Sequence, residues 1–168
     1  MKWIGKIVLL CIFLYSCQAI ENKGSNNEAN YSIIPKPQQL TKSKGYFEIN
    51  ENTVLLLDSS QQINALFFTN FIKEKYGISI QSSPTTNTKE NYIHLINSNQ
   101  EVNKSENYEL KIESNKISIS ASDKSGLFYG IQSLTQLIEL NNSPESKSLI
   151  TPNVLITDWA YFKHRGML

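Results

Sequence analysis

The chain has 168 residues, room for one ordinary domain with extensions and too few for a complete eight-fold barrel of about 250 residues. Hydrophobic residues make up 40%, charged residues 18%, and the formal net charge is +1, a globular composition with no acid or base excess. With basic residues scattered and aromatics at core spacings, nothing in it suits a nucleic-acid partner.

In chain order, residues 1–17 come first and read as a targeting segment outside the fold. Lys2 and Lys6 form a positive n-region, and Ile7 to Leu14 make an apolar run too short for a comfortable membrane span. Leu14-Tyr15-Ser16-Cys17 resembles the lipobox of bacterial lipoproteins, which implies lipidation at Cys17 and an exported protein held in the cell envelope, in periplasm or outer membrane. Several acyl chains would make that hold durable, at about 0.8 kcal/mol per buried methylene. With Ala19 two residues after Cys17, no inner-membrane retention by the usual aspartate signal is expected. The alternative is plain secretion with cleavage near Ala19. Cys11 lies in the removed segment, so the mature domain has no disulfide and folds on its core alone.

Residues 18–31 are polar and aperiodic and read as a flexible tether, with the folded domain expected over 32–157. Gly45 to Ile49 and Thr53 to Leu57 are strand candidates separated by the turn-rich Asn50-Glu51-Asn52. From Ser59 the period becomes helical, and Ile63, Leu66, Phe67 and Phe71 define the expected buried face. Lys73 and Lys75 suit the last turn, and Gly77 is the expected stop. Ile78 to Gln81 is a brief strand candidate, 82–91 a loop, and Tyr92 to Ile96 another strand.

Tyr108, Leu110 and Ile112 then alternate, and so do Ile117, Ile119 and Ala121, with Ser114-Asn115 as the hairpin turn between them. Leu127, Ile131, Leu134 and Ile138, with Phe128 and Leu137 widening the stripe, predict a second helix capped by Ser122, Asp123 or Ser125. Val154 to Ile156 is a last strand candidate leading out of the domain. The order predicts an α+β domain, with two helices covering one face of a largely antiparallel sheet.

Three stretches, Ile34-Pro35-Lys36-Pro37, the FYGIQSLTQL run of 128–137 and the HRGML run of 164–168, occur in an order that resembles the β-N-acetylhexosaminidases of glycoside hydrolase family 20. The resemblance covers roughly Ser32 to Leu168. It implies the domain in front of the catalytic barrel, with residues 158–168 as the start of that barrel, truncated at its first strand. It further implies hydrolysis of terminal N-acetylhexosamine from glycans, in which the substrate's acetamido oxygen attacks the anomeric carbon and an adjacent Asp-Glu pair assists. No Asp-Glu dipeptide occurs in this chain. The 168 residues alone are therefore expected to be inactive.

Arg165 is the residue to which the resemblance gives a role, hydrogen-bonding sugar hydroxyls through its five-donor guanidinium in a complete barrel. Without pocket walls it is a solvated arginine. His94 and His164 are isolated, so no metal or other cofactor is expected. Asp58, Asp123 and Asp158 sit at element boundaries and suit capping or turns. Trp159, Tyr161 and Phe162 suit packing at a domain junction better than a sugar platform. The competing reading is a free-standing, lipid-anchored binding or scaffold module without enzymatic activity.

Overall fold

The computed structural model describes residues 28–85, 89–98 and 106–160. The strands are β1 (Gln39–Ile49), β2 (Val54–Leu56), β3 (Gln81–Ser83), β4 (Tyr92–Asn97), β5 (Tyr108–Glu113), β6 (Lys116–Ala121) and β7 (Leu149–Asp158). Helix α1 (Gln62–Tyr76) follows a 3-10 turn at Ser59–Gln61, and α2 (Lys124–Asn141) joins β6 to β7. All seven strands form one sheet in the order β1-β7-β5-β6-β4-β2-β3.

That sheet is mixed, which corrects the expectation of a largely antiparallel one. β1, β7, β5 and β6 pair antiparallel, whereas β6, β4, β2 and β3 run parallel. Helix α1 accounts for one of the parallel pairs. A helix laid back across a sheet lets the strands on either side of it run in the same direction, and α1 does this between the paired strands β2 and β3, whereas α2 joins β6 to β7 across β5 within the antiparallel half.

The β5–β6 hairpin forms as its alternation predicts, with Ile112 opposite Ile117, Leu110 opposite Ile119 and Tyr108 opposite Ala121. The asparagine that adopts positive φ is Asn91, at 57°, rather than Asn115 in the turn. Asn91 accepts from Thr53 Oγ1 at 2.7 Å and gives its own N–H to the Asn115 carbonyl at 2.7 Å, joining three strand ends. The edge strand β1 is longer than its predicted core at 45–49, with a register shift between Lys42 and Tyr46. β7 does not simply lead outward, because it runs the full width between β1 and β5 and is a central strand.

The second helix buries Leu127, Ile131, Leu134, Leu137 and Ile138 of the stripe that its sequence shows, while Phe128 is only half-buried. Its N-cap is Asp123, whose Oδ1 accepts from Gly126 N at 2.7 Å. Helix α1 is rotated relative to expectation. It buries Ala65, Phe68, Ile72 and Tyr76, while Ile63, Leu66 and Phe67 are 82%, 60% and 39% exposed. Both stripes are apolar at helical spacing, and Asn64 decides between them by donating from Nδ2 to the Lys124 carbonyl at 3.1 Å. The helix ends as predicted at Gly77, where φ is 74° and the amide returns to the Lys73 carbonyl at 2.9 Å.

The two helices lie side by side on one sheet face, with Phe67 and Phe128 edge to face at 5.3 Å. The core fills the space between. On the opposite sheet face Glu109 and Lys111 are exposed, and Glu113 pairs with Lys111 at 2.9 Å and with Lys116 at 3.8 Å.

Candidate functional site

Both residues to which sequence reasoning gave a function, Arg165 and Cys17, lie outside the described residues, as do His164, Tyr161 and Phe162. What the structure does place is the pair of signature segments at 34–37 and 128–137, and it brings them together. Gln136 on α2 accepts from Ile34 N at 2.9 Å and donates from Nε2 to the Ile34 carbonyl at 3.0 Å. One turn on, Asn141 makes the same two-way bond with the backbone of Asn30, both arms at 2.9 Å. Residues 30–34 therefore run as a strap along α2, with Ile33 buried beneath it and Ile34 facing water. Each amide side chain satisfies a backbone donor and acceptor that no strand partner reaches.

Two glycines of α2 set its distance from the sheet: Gly130 of the signature run faces Tyr108 and Ile119 on β5 and β6, and Gly126, one helical turn earlier, faces the backbone just before β5. A Cβ on Gly126 would collide with the backbone carbonyl oxygen of Asn107, and a Cβ on Gly130 would collide with the Ile119 side chain and lie 3.2 Å from Tyr108 Cδ2. The helix can sit this close to the hairpin only because both side chains are missing. Asp123 strengthens the contact: its Oδ2 accepts from Glu106 N at 2.9 Å while Oδ1 caps the helix. The most family-specific stretch of the sequence is a packing device.

The boundary aspartates, Tyr108 and His94 can be placed in turn. Asp58 precedes the 3-10 turn, and its N–H donates to Gln61 Oε1 at 2.9 Å. Asp158 Oδ1 accepts from Gln38 N at 3.2 Å at the end of β7. Tyr108 is buried under α2, its hydroxyl 2.6 Å from Ser133 Oγ. Burial pushes its pKa up to about 12, opposed by the Ser133 hydrogen bond and reinforced by the Asp158 charge. His94, half-buried on β4, is held below its ordinary value chiefly by desolvation, with Asp58 pulling it up and Lys116 pushing it down. Among the described residues no three His, Cys, Asp or Glu side chains cluster as a metal site would require.

Two open clefts flank the strap. One, of about 840 Å³, is floored by Tyr31, Ile33 and Leu40, with Lys42 over the Tyr31 ring at 4.8 Å. The other, of about 740 Å³, lies between Tyr46, Pro152 and the end of α2. Neither carries a carboxylate pair facing a common point. In the second, Asn142 is already spent on the Ile138 and Ile150 carbonyls at 2.8 and 2.9 Å and on Ile150 N at 2.7 Å. A cleft whose amides are satisfied internally offers a sugar little to bind.

The described residues form a two-layer α+β domain, two helices on a seven-stranded sheet. Residues 30–159 match the family profile of glycosyl hydrolase family 20, domain 2. The chain belongs to that family, and the likeness read from its signature segments stands. It is 28% identical over 165 residues to a β-hexosaminidase of Porphyromonas gingivalis, covering 95% of this chain and 21% of that protein. Among solved structures, it is similar to the Streptomyces plicatus N-acetyl-β-hexosaminidase in complex with Thio-NAglucal. There the TM-score is 0.67 at 18% identity, over 78% of this chain and 26% of that one. It is also similar to a Vibrio harveyi exo-β-N-acetylglucosaminidase in complex with N-acetylglucosamine, with TM-score 0.65 and 20% identity over 79% and 20% of the two chains. At those identities the likeness is one of fold. The chain spans about a fifth to a quarter of the length of these relatives.

Proposed function

We propose that this chain is the non-catalytic N-terminal domain of an exported bacterial β-N-acetylhexosaminidase, held to the cell envelope through a lipid on Cys17. In this reading it supports a catalytic barrel that begins within 158–168 and continues in a longer polypeptide. The observation that carries the reading is the family match over 30–159 in a chain about one fifth as long as its curated relative. The substrate of the whole enzyme is a glycan with a terminal non-reducing N-acetylhexosamine, and Arg165 binds hydroxyls of that sugar. Retention of an enzyme of this kind at the envelope fits a task of trimming glycans outside the cytoplasm.

Release of the aryl group from an aryl N-acetylglucosaminide tests both halves. The 168-residue chain is expected to give no turnover above buffer, and the reading frame continued past Leu168 is expected to be active. Arg165→Ala in the longer polypeptide should lower kcat/KM by about 10- to 100-fold, the worth of charge-assisted hydrogen bonds lost from a site. Turnover by the short chain, or undiminished kinetics in the Arg165 variant, defeats the assignment. A stop codon directly after Leu168 would instead favour the free-standing module.

A further inference from the structure

Where β4 and β6 end, four segments of chain meet around a cavity of about 20 Å³. Gln61 comes to it from the 3-10 turn before α1, Asn97 from the end of β4, Ala121 from the end of β6, and Asp123 and Lys124 from the start of α2. One polar group among them is unaccounted for. Gln61 is only 2% exposed, and its carboxamide has a defined orientation: Asp58 N donates to it at 2.9 Å, a bond that only the oxygen can accept. The nitrogen is therefore the end left over. That Nε2 is buried and has no protein partner. Burying an amide donor unpaired is costly enough that native structures nearly always supply it with an acceptor, from protein or from ordered solvent.

Size and charge select the occupant. A cavity needs about 10–15 Å³ to hold one water, whereas sites for small organic ligands begin at roughly 300 Å³. A sugar or a nucleotide is too large. The lining carries one carboxylate, Asp123, and one exposed ammonium, Lys124, so it has no net charge with which to draw in an ion. What it offers is a donor and an acceptor. Asp123 Oδ1 accepts from Gly126 N at 2.7 Å and Oδ2 from Glu106 N at 2.9 Å, and each oxygen keeps a second lone pair. A molecule that both accepts and donates, at the size of one probe sphere, is water.

We propose that this cavity is the site of one long-lived internal water, which accepts from Gln61 Nε2 and donates to the Asp123 carboxylate. The water links the 3-10 turn to the cap of α2. One turn further on, the protein makes the equivalent link directly, from Asn64 Nδ2 to the Lys124 carbonyl at 3.1 Å. The start of α1 is thus tied to the start of α2 twice, once dry and once through solvent. The site lies wholly within the described domain, so it stands independently of the proposed function.

The test reads the water at the Gln61 amide in the 168-residue chain. In an isotope-labelled sample, the two Nε2 protons should show a direct cross-relaxation peak to bound water. Water-oxygen relaxation dispersion should in addition lose the contribution of one long-lived water on Gln61→Met, which keeps the length of the side chain and removes its donor. The peak is read on the parent protein, so it decides even where the variant fails to fold. Absence of the peak overturns the proposal, and so does a dispersion amplitude that folded Gln61→Met leaves unchanged. A Nε2 signal that moves on titration with chloride, with no water peak, also overturns it, because the occupant is then an anion.

Discussion

Helices α1 and α2 lie in the same layer over the same sheet, yet only α2 has the orientation that its apolar residues announce. α2 has one strong stripe, and all of it but the half-buried Phe128 at its margin is buried. α1 has two, Ile63-Leu66-Phe67-Phe71 and Ala65-Phe68-Ile72-Tyr76, and it buries the second. Periodicity reports that a helix has an apolar face; when it has two, the choice passes to polar groups and neighbours, here the Asn64 bond to α2. The apolar stripe left outside is then a surface that needs an explanation, whereas α2 leaves only Phe128 half-buried.

The largest effect that separates the two stripes is a truncation on each. Phe68→Ala should cost about 3–5 kcal/mol, the usual price of emptying a fully buried phenylalanine site. Ile63→Gln, on the competing stripe, should stay within about 0.5 kcal/mol of the parent in the same short chain. Urea unfolding followed by circular dichroism measures both. Comparable losses at the two positions would mean that α1 sits in the other rotation.

A smaller effect probes the close approach that only α2 makes. Gly130→Ala pushes a methyl against Ile119 and Tyr108 and should cost about 1–3 kcal/mol. Were the glycine there for some reason other than contact, alanine would stabilise the helix by up to about 1 kcal/mol, so the sign of the change decides. Gly126→Ala meets backbone rather than side chain and has less room to relax.

These elements also show what the sequence could and could not disclose. The hairpin, α2, the Gly77 stop and the family itself were legible because each is a local pattern: alternation over six residues, one stripe, one glycine, a few short signatures. The parallel half of the sheet was not, because strand direction depends on which distant strands come to pair, as β2 with β4 and β4 with β6. The Gln136–Ile34 and Asn141–Asn30 bonds join residues 102 and 111 positions apart. Polar side chains in a helix carry no mark of such distant partners. Sequence reasoning treated the signature runs as labels of a family, and it missed that they meet, Ile34 of one bonded both ways to Gln136 of the other. The pairing of an amide side chain with a lone extended segment was the signal available. The expected functional residues Arg165 and Cys17 belong to segments beyond the described domain, and their roles depend on tests of activity and lipidation.

The smallest expected effect concerns a tyrosine that α2 buries against the sheet. Tyr108 lies beneath Gly130 with its hydroxyl on Ser133, and burial lifts its pKa from 10.0 to about 12. A raised pKa means that the folded state keeps a proton which the unfolded chain releases. The stabilisation is therefore complete below pH 10 and is lost as pH climbs toward 12, with about 1.4 kcal/mol gone by pH 11. Tyr108→Phe should remove that part of the alkaline decline while costing about 1 kcal/mol at neutral pH through the broken Ser133 bond. Unfolding midpoints at pH 8 and pH 11 for parent and variant provide the measurement. If the parent's excess loss persists in the phenylalanine variant, the alkaline sensitivity resides elsewhere, and the space under α2 is wetter than its closely packed glycines imply.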